Sequence, residues 1–134
     1  MAELARKQRL LEFRPVFTIT ADRVLKQSEH NSLVLVNSST SLNVTLPFPK
    51  AGMRFTIFSK TAAGSGTGHV VKVSGSTAKV YSKVSPTGAA ISEAAGKGVT
   101  NTQATAVKGD FIEVVSDGVD WYATNLAGTW AREA

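Results

Sequence analysis

Four carboxylates in the C-terminal part of the chain, Asp110, Glu113, Asp117 and Asp120, are the densest set of groups that could do chemistry. Their D-x-x-E-x-x-x-D-x-x-D spacing could supply some of the six to eight oxygens that a hard cation takes. Two of them could also be imagined as the acid and base of glycoside hydrolysis, although sequence fixes no distance between them and no substrate aromatics surround them. Turn chemistry and solvation account for all four instead: Asp110 follows Gly109, Asp117 and Asp120 flank Gly118, and Glu113 falls on the outward face opposite Ile112 and Val114. His30 and His69 are the only imidazoles, and His69, between Gly68 and Val70, reads as the start of a strand. The chain has no cysteine, which removes disulfides, thiolate metal sites and a thiol nucleophile, and it has no G-x-S-x-G. The run Gly64-Ser65-Gly66-Thr67-Gly68 lacks both the Lys-Ser/Thr of a phosphate-binding loop and a following helix, so it reads as a flexible loop. No catalytic residue, metal or cofactor is expected.

With catalysis set aside, the composition points to architecture. The 134 residues are 43% hydrophobic and 19% charged, with 17 Ala, 15 Val, 14 Thr, 13 Ser and 11 Gly. A chain of this size hides about two-thirds of its unfolded surface. Valine and threonine with that much glycine and serine point to short strands joined by tight turns.

Residues 1–15 read as an N-terminal arm and residues 16–134 as one β domain with a short C-terminal tail. The arm, MAELARKQRLLEFR followed by Pro15, is rich in Leu, Arg and Glu and free of Gly, Thr and Val. Leu4 and Leu11 lie seven apart and Leu10 and Phe13 three apart, a ragged stripe that is marginal as an isolated helix and is ended by the proline. Beyond it the period is two. Phe17 and Ile19 alternate with Thr18 and Thr20, whereas Ala21 to Ser28 read as a turn or one helical turn. Ser32 to Val36 is apolar on both faces, the mark of a strand covered on both sides or near a subunit contact. Leu42, Val44 and Leu46 alternate up to Pro47 and Pro49, and Met53, Phe55 and Ile57 follow the Ala51-Gly52 turn. Strands are further expected at His69 to Val73 and around Val80 and Tyr81, and a weaker one at Val99 to Val107. Residues 85–98 read as a long loop or a two-turn helix over Ala89 to Ala95. Phe111 to Val115 and Trp121 to Asn125 flank Ser116-Asp117-Gly118, a strong hairpin signal. Eight or nine short strands predict an all-β fold, an antiparallel sandwich or jelly-roll-like barrel, with no internal repeat of 20 to 50 residues.

The formal charge of +5 is polarised: residues 1–49 sum to +2, 50–108 to +7 and 109–134 to −4. The central lysines are spread singly and are not interleaved with aromatics, so solvated strand faces are expected rather than a nucleic-acid platform. No window approaches the ~18 to 20 apolar residues of a membrane span. Arg6, Lys7 and Arg9 are not followed by an apolar stretch and small-residue cleavage site, so no secretory signal is expected and assembly in a cytoplasm is. Trp121 and Tyr122 are adjacent on one strand and must face opposite sides of a sheet. Trp130, expected past the last strand, needs covering by its own barrel or by a neighbour. Tyr122 and Trp130 are therefore the candidate interface aromatics.

The run GDFIEVVSDGVDWYATNLAGTWA, Gly109 to Ala131, resembles a pattern of small β-rich virion proteins of tailed bacteriophages, and Leu33 to Phe58 is similar to the same pattern, with a strand closing in LP-x-P and then an aromatic strand. The resemblance covers about residues 16–131 and its motifs are structural. It implies a capsid decoration (cement) protein or the β domain of a head or tail fibre. No shaft of coiled-coil or repeat sequence is present, which favours decoration: a homotrimer on the outer surface of an expanded head, bound to the major capsid protein and located in the virion. Leu4, Arg6, Arg9, Leu10, Leu11, Phe13 and Arg14 would then bridge to the capsid or to a neighbouring subunit. The alternative is a fibre module that recognises host surface glycans.

Overall fold

Strand Ser32–Asn37 buries Ser32, Val34 and Val36 on one face and leaves Leu33, Leu35 and Asn37 half-buried on the other, and the rest of the fold is laid around it. A computed structural model describes residues 13–82 and 94–134. Numbered along the chain, the strands are β1 (Val16–Ile19), β2 (Arg23–Val24), β3 (Ser32–Asn37), β4 (Asn43–Thr45), β5 (Arg54–Thr61), β6 (Val70–Lys72), β7 (Val80–Tyr81), β8 (Val99–Asn101), β9 (Phe111–Ser116), β10 (Trp121–Ala127) and β11 (Trp130–Arg132). They form a six-stranded sheet A in the order β1-β3-β5-β9-β10-β7 and a five-stranded sheet B in the order β11-β8-β6-β4-β2.

The all-β, two-sheet architecture agrees with the expectation from sequence. The sheets, however, are mixed rather than antiparallel, and the described residues hold eleven strands. From β1 to β6 the chain alternates between sheets, so β1, β3 and β5 stack in parallel in sheet A while β2, β4 and β6 stack in parallel in sheet B. These six strands make three rungs of a flattened coil. The register places Val16 beside Leu33 and Leu33 beside Thr56, so successive rungs are 17 and 23 residues long. That irregular spacing is why no repeat is visible in the sequence. The C-terminal part returns antiparallel along both sheets: β9 on β5 and β10 on β9 in sheet A, β8 on β6 and β11 on β8 in sheet B. The two-residue strand β7 then closes sheet A in parallel against β10.

Several local expectations are corrected. Of the residues read as a turn or one helical turn after β1, Gln27 and Ser28 do enter a 3-10 turn, Gln27–Glu29, but Arg23–Val24 form β2. The strand from Val99 stops at Asn101 and passes into a 3-10 turn at Gln103–Thr105. Prolines that end a strand suggest a sheet edge, but β4, which Pro47 and Pro49 follow, lies between β6 and β2. The loop or helix expected at 85–98 lies mostly outside the described residues, as do Lys83 and Val84.

One core joins both sheets. Phe55, Val34, Val44, Leu46, Val99, Ile112, Val114 and Trp121 are fully buried in it. Phe55 and Trp121 meet with ring centroids 5.9 Å apart and planes tilted by 53°, an arrangement that adds to the area both rings bury. Trp130 belongs to the same core at 1% exposure. It is not a tail residue seeking a partner: β11 carries it inward and its indole Nε1 donates to the Ala127 carbonyl.

Candidate docking surface

The four acidic residues do not converge. Asp110 is buried at 3% before β9, where it accepts hydrogen bonds from Asn101 Nδ2 and the Val107 amide. Gly128 passes so close that a Cβ there would sit 2.4 Å from the Asp110 Cγ. Glu113 lies at the centre of β9 on the outer face of sheet A and accepts from Thr56 and Thr124. Asp117 and Asp120 are at the other end of β9. Asp117 Oδ1 accepts the amides of Val119 and Asp120, a side-chain-closed turn around Gly118 at φ +99°, and Asp120 accepts the Lys79 amide. Among the described residues no three His, Cys, Asp or Glu side chains group in a way that could hold a metal.

His69 and the glycine-rich loop are structural brackets. His69 is buried at 2%; its Nδ1 accepts the Leu42 amide, so the proton sits on Nε2 and points to the Thr61 carbonyl. The loop that composition presents as flexible is latched to the rung before it: Gly64 donates to the Ser39 carbonyl, Ser41 Oγ to the Ser65 carbonyl and the Gly68 amide to Ser41 Oγ.

Trp121 and Tyr122 do face opposite sides. Trp121 is fully buried, whereas Tyr122 is 38% exposed on the outer face of sheet A. There it stacks on Tyr81, its register partner in β7, with centroids 5.2 Å apart and planes within 10°. Its hydroxyl donates to Asp117 at 2.7 Å, a bond that holds the phenol up at about 12; the Asp117 carboxyl is lowered by the Asp120 amide first, then by this bond and the Val119 amide.

Most of the candidate arm residues, Leu4, Arg6, Arg9, Leu10 and Leu11, lie outside the described residues. Phe13 is 75% exposed. Arg14 is part of the fold: Nε donates to the Asn31 carbonyl, and Nη2 to the Ser32 carbonyl and to Thr56 Oγ1 at 2.7 Å. The Pro15 carbonyl accepts the Leu33 amide, which fixes the chain just before β1. Burial, with the nearby Arg54 charge, lowers the Arg14 guanidinium's pKa, and Glu113 opposes them.

Where the chain enters the fold, the coil has an open end. Strands β1 and β2 are the outermost strands of their sheets, so among the described residues each presents one unpaired edge. The apolar side chains there are exposed: Val16 on β1, Val24 on β2, and Phe13 just before β1. Phe48, also exposed, is tied to the same end through Gln27 Nε2, which donates to its carbonyl. Arg23 stays at this end by stacking over Phe17 at 5.0 Å and pairing with Glu29, whose carboxyl, though burial pushes it up, is held low by the Lys26 amide and Arg23. A shallow concavity lined by Asp22, Arg23, Val24, Asn43, Thr45 and Lys72 runs beside it along sheet B.

The outer faces of the two sheets differ. The outer face of sheet B carries Asn43, Thr45 and Lys72, with exposed Val24 beside Thr45 and with Val70 and Thr100 buried in register with Asn43; Lys72 is ion-paired to Glu133. Sheet A shows a row in register across three strands, Leu35, Phe58 and Phe111, the two phenyl rings stacked at 6.4 Å, with Leu33 and Val115 beside it. The two-faced apolar reading of Ser32 to Val36 locates this face. No protein-family model matches the chain, and no curated protein sequence matches it significantly.

Proposed function

We infer that the chain is a bacteriophage capsid decoration (cement) protein, a non-catalytic homotrimer that binds the major capsid protein on the outer surface of the expanded head. The observation that carries this reading is the open end of the coil. Among the described residues the outer edges of β1 and β2 are unpaired and exposed apolar side chains flank them, Phe13 and Val16 beside sheet A and Val24 on the outer face of sheet B. Large exposed apolar surfaces beside open edges are what soluble β proteins avoid unless a partner covers them. The virion identity comes from the resemblance of Gly109 to Ala131 and Leu33 to Phe58 to phage β modules. The mechanism is clamping by area. Contacts of about 1,200–2,000 Å² each, repeated over a shell, stabilise the expanded state by mass action.

Arg14, one of the residues expected to bridge, is instead built into the fold through three hydrogen bonds. Co-sedimentation of the purified protein with empty expanded capsids tests the reading: saturable binding is expected, and its absence overturns it. A second reading, a fibre module for host glycans, is favoured by one observation. The stacked Tyr81–Tyr122 pair offers an aromatic platform with Asp117 as a polar neighbour. Binding to host polysaccharide that Tyr122→Ala abolishes, with no binding to capsids, would select it.

A further inference from the structure

We propose that Asp117-Gly118 is a site of spontaneous backbone isomerisation, and that the Tyr122 and Ser116 hydroxyls keep it unreacted in the folded chain. This inference does not rest on the virion reading. The sequence has one Asp-Gly pair and no Asn-Gly, and the pair is exposed in the turn that joins β9 to β10. Glycine brings no side chain to shield its amide nitrogen or to restrict its backbone. That nitrogen can attack the Asp117 Cγ, closing a five-membered succinimide while the carboxyl's hydroxyl and the amide proton leave as water. Water then opens the ring. Cleavage of the new Cγ–N bond restores aspartate, whereas cleavage between the Asp117 main-chain carbonyl and the Gly118 nitrogen routes the chain through Cγ and lengthens it by one carbon. Nothing is oxidised or reduced, and the product has the mass of the starting chain.

The folded turn holds both reacting groups away from this path. Asp117 Oδ1 accepts the Val119 and Asp120 amides, each at 2.9 Å, and Oδ2 accepts the Tyr122 hydroxyl at 2.7 Å. Three donors favour the ionised carboxyl, and the ionised form is a poor electrophile with no hydroxyl to lose. They also fix its position, so Cγ reaches the glycine nitrogen only after those bonds break. The attacking nitrogen is engaged as well: the Gly118 amide donates to Ser116 Oγ at 3.0 Å, and Ser116 is 3% exposed. Tyr122 is braced in turn by its stack on Tyr81. Of the three donors to Asp117, its hydroxyl is the one that a substitution removes without touching the backbone of the turn.

The full-length parent and Tyr122→Phe are aged for weeks at neutral pH, beside the parent unfolded in urea. The tryptic peptide 109–132 is then resolved by reversed-phase chromatography. A form of unchanged mass that endoproteinase Asp-N no longer cuts before Asp117 is the isomerised product. Tyr122→Phe is expected to form it at least about tenfold faster than the folded parent, the factor for one hydrogen bond to a charged group, and the urea sample faster than the folded parent. Equal rates in Tyr122→Phe and the folded parent overturn the proposal, as does a parent that reacts equally fast folded and unfolded, or isomerisation confined to another aspartate. Ser116→Ala gives the same readout through the attacking nitrogen should circular dichroism show that Tyr122→Phe has lost the fold.

Discussion

The three-rung coil and the antiparallel return share one core but are held by different means. In the coil, every strand pairs with one two elements away along the chain, so its order depends on loops that cross between sheets. Those loops are latched by side chains: Ser41 to Gly68, His69 to Leu42 and Thr61, and Asp22 to the Asn43 amide. In the return, β9 and β10 are joined by a turn closed by its own Asp117, and their pairing is local. Non-local pairing costs loop-closure entropy before it gains contacts, whereas a hairpin meets that cost within a few residues. The halves meet along β5–β9 and β6–β8, and the second seam is tight. A Cβ on Gly98 would lie 1.7 Å from the Val71 carbonyl oxygen, and one on Gly68 would lie 1.7 Å from that of Asn101.

If the two halves form one cooperative unit, damage to either must be felt by both. Trp121→Ala, in the return, is expected to cost about 3–5 kcal/mol, and Leu46→Ala, in the coil, about 2–5 kcal/mol. Both should lower a single thermal transition followed by circular dichroism. Two separated transitions would break the picture of a common core. Gly98→Ala drives a methyl into backbone rather than into a mobile side chain and is expected to cost about 1–3 kcal/mol or more. A neutral outcome in chemical denaturation would mean that the seam is looser than the approach of β6 to β8 indicates.

The smallest effect separates the outer-face contacts of the return from its core. Tyr122 ionises at about 12 in the folded chain against about 10 for a free phenol. Its protonated form is the one favoured by folding, so this contribution is present below pH ~10 and is lost as pH rises through about 12. Asp117, whose pKa is lowered, contributes above its ordinary range and loses that contribution on acidification. Phenolate absorbance should therefore show one late-titrating tyrosine that Asp117→Asn brings back toward the ordinary value. An unchanged titration in that variant would remove the Asp117 bond as the cause.

The return was the legible half. Ser116-Asp117-Gly118 marks its turn by chemistry, and adjacency alone puts Trp121 and Tyr122 on opposite faces. The coil was legible strand by strand but not in its pairing. Alternation shows which way Phe55 or Val44 points, but nothing local says that β3 lies parallel between β1 and β5, and rungs of 17 and 23 residues leave no repeat to find. Strands of two residues, β2 and β7, are too short to show a period. Trp130 looked like a tail aromatic because Gly128 hides the continuity of the chain into β11. Arg14 looked like one more basic arm residue, since its three acceptors come from residues 17 to 42 positions away. The apolar outer face, in contrast, was visible in Leu33 and Leu35.

The functional reading stands on the open end of the coil, and one experiment addresses it directly. Val16→Asp combined with Val24→Asp places charges on two side chains that are 55% and 67% exposed, so the fold is expected to be retained. Co-sedimentation with empty expanded capsids is then measured for the parent and the double variant across protein concentrations. The account predicts saturable binding by the parent and loss of most of it in the variant. Equal binding by the two, or none by the parent, would contradict it.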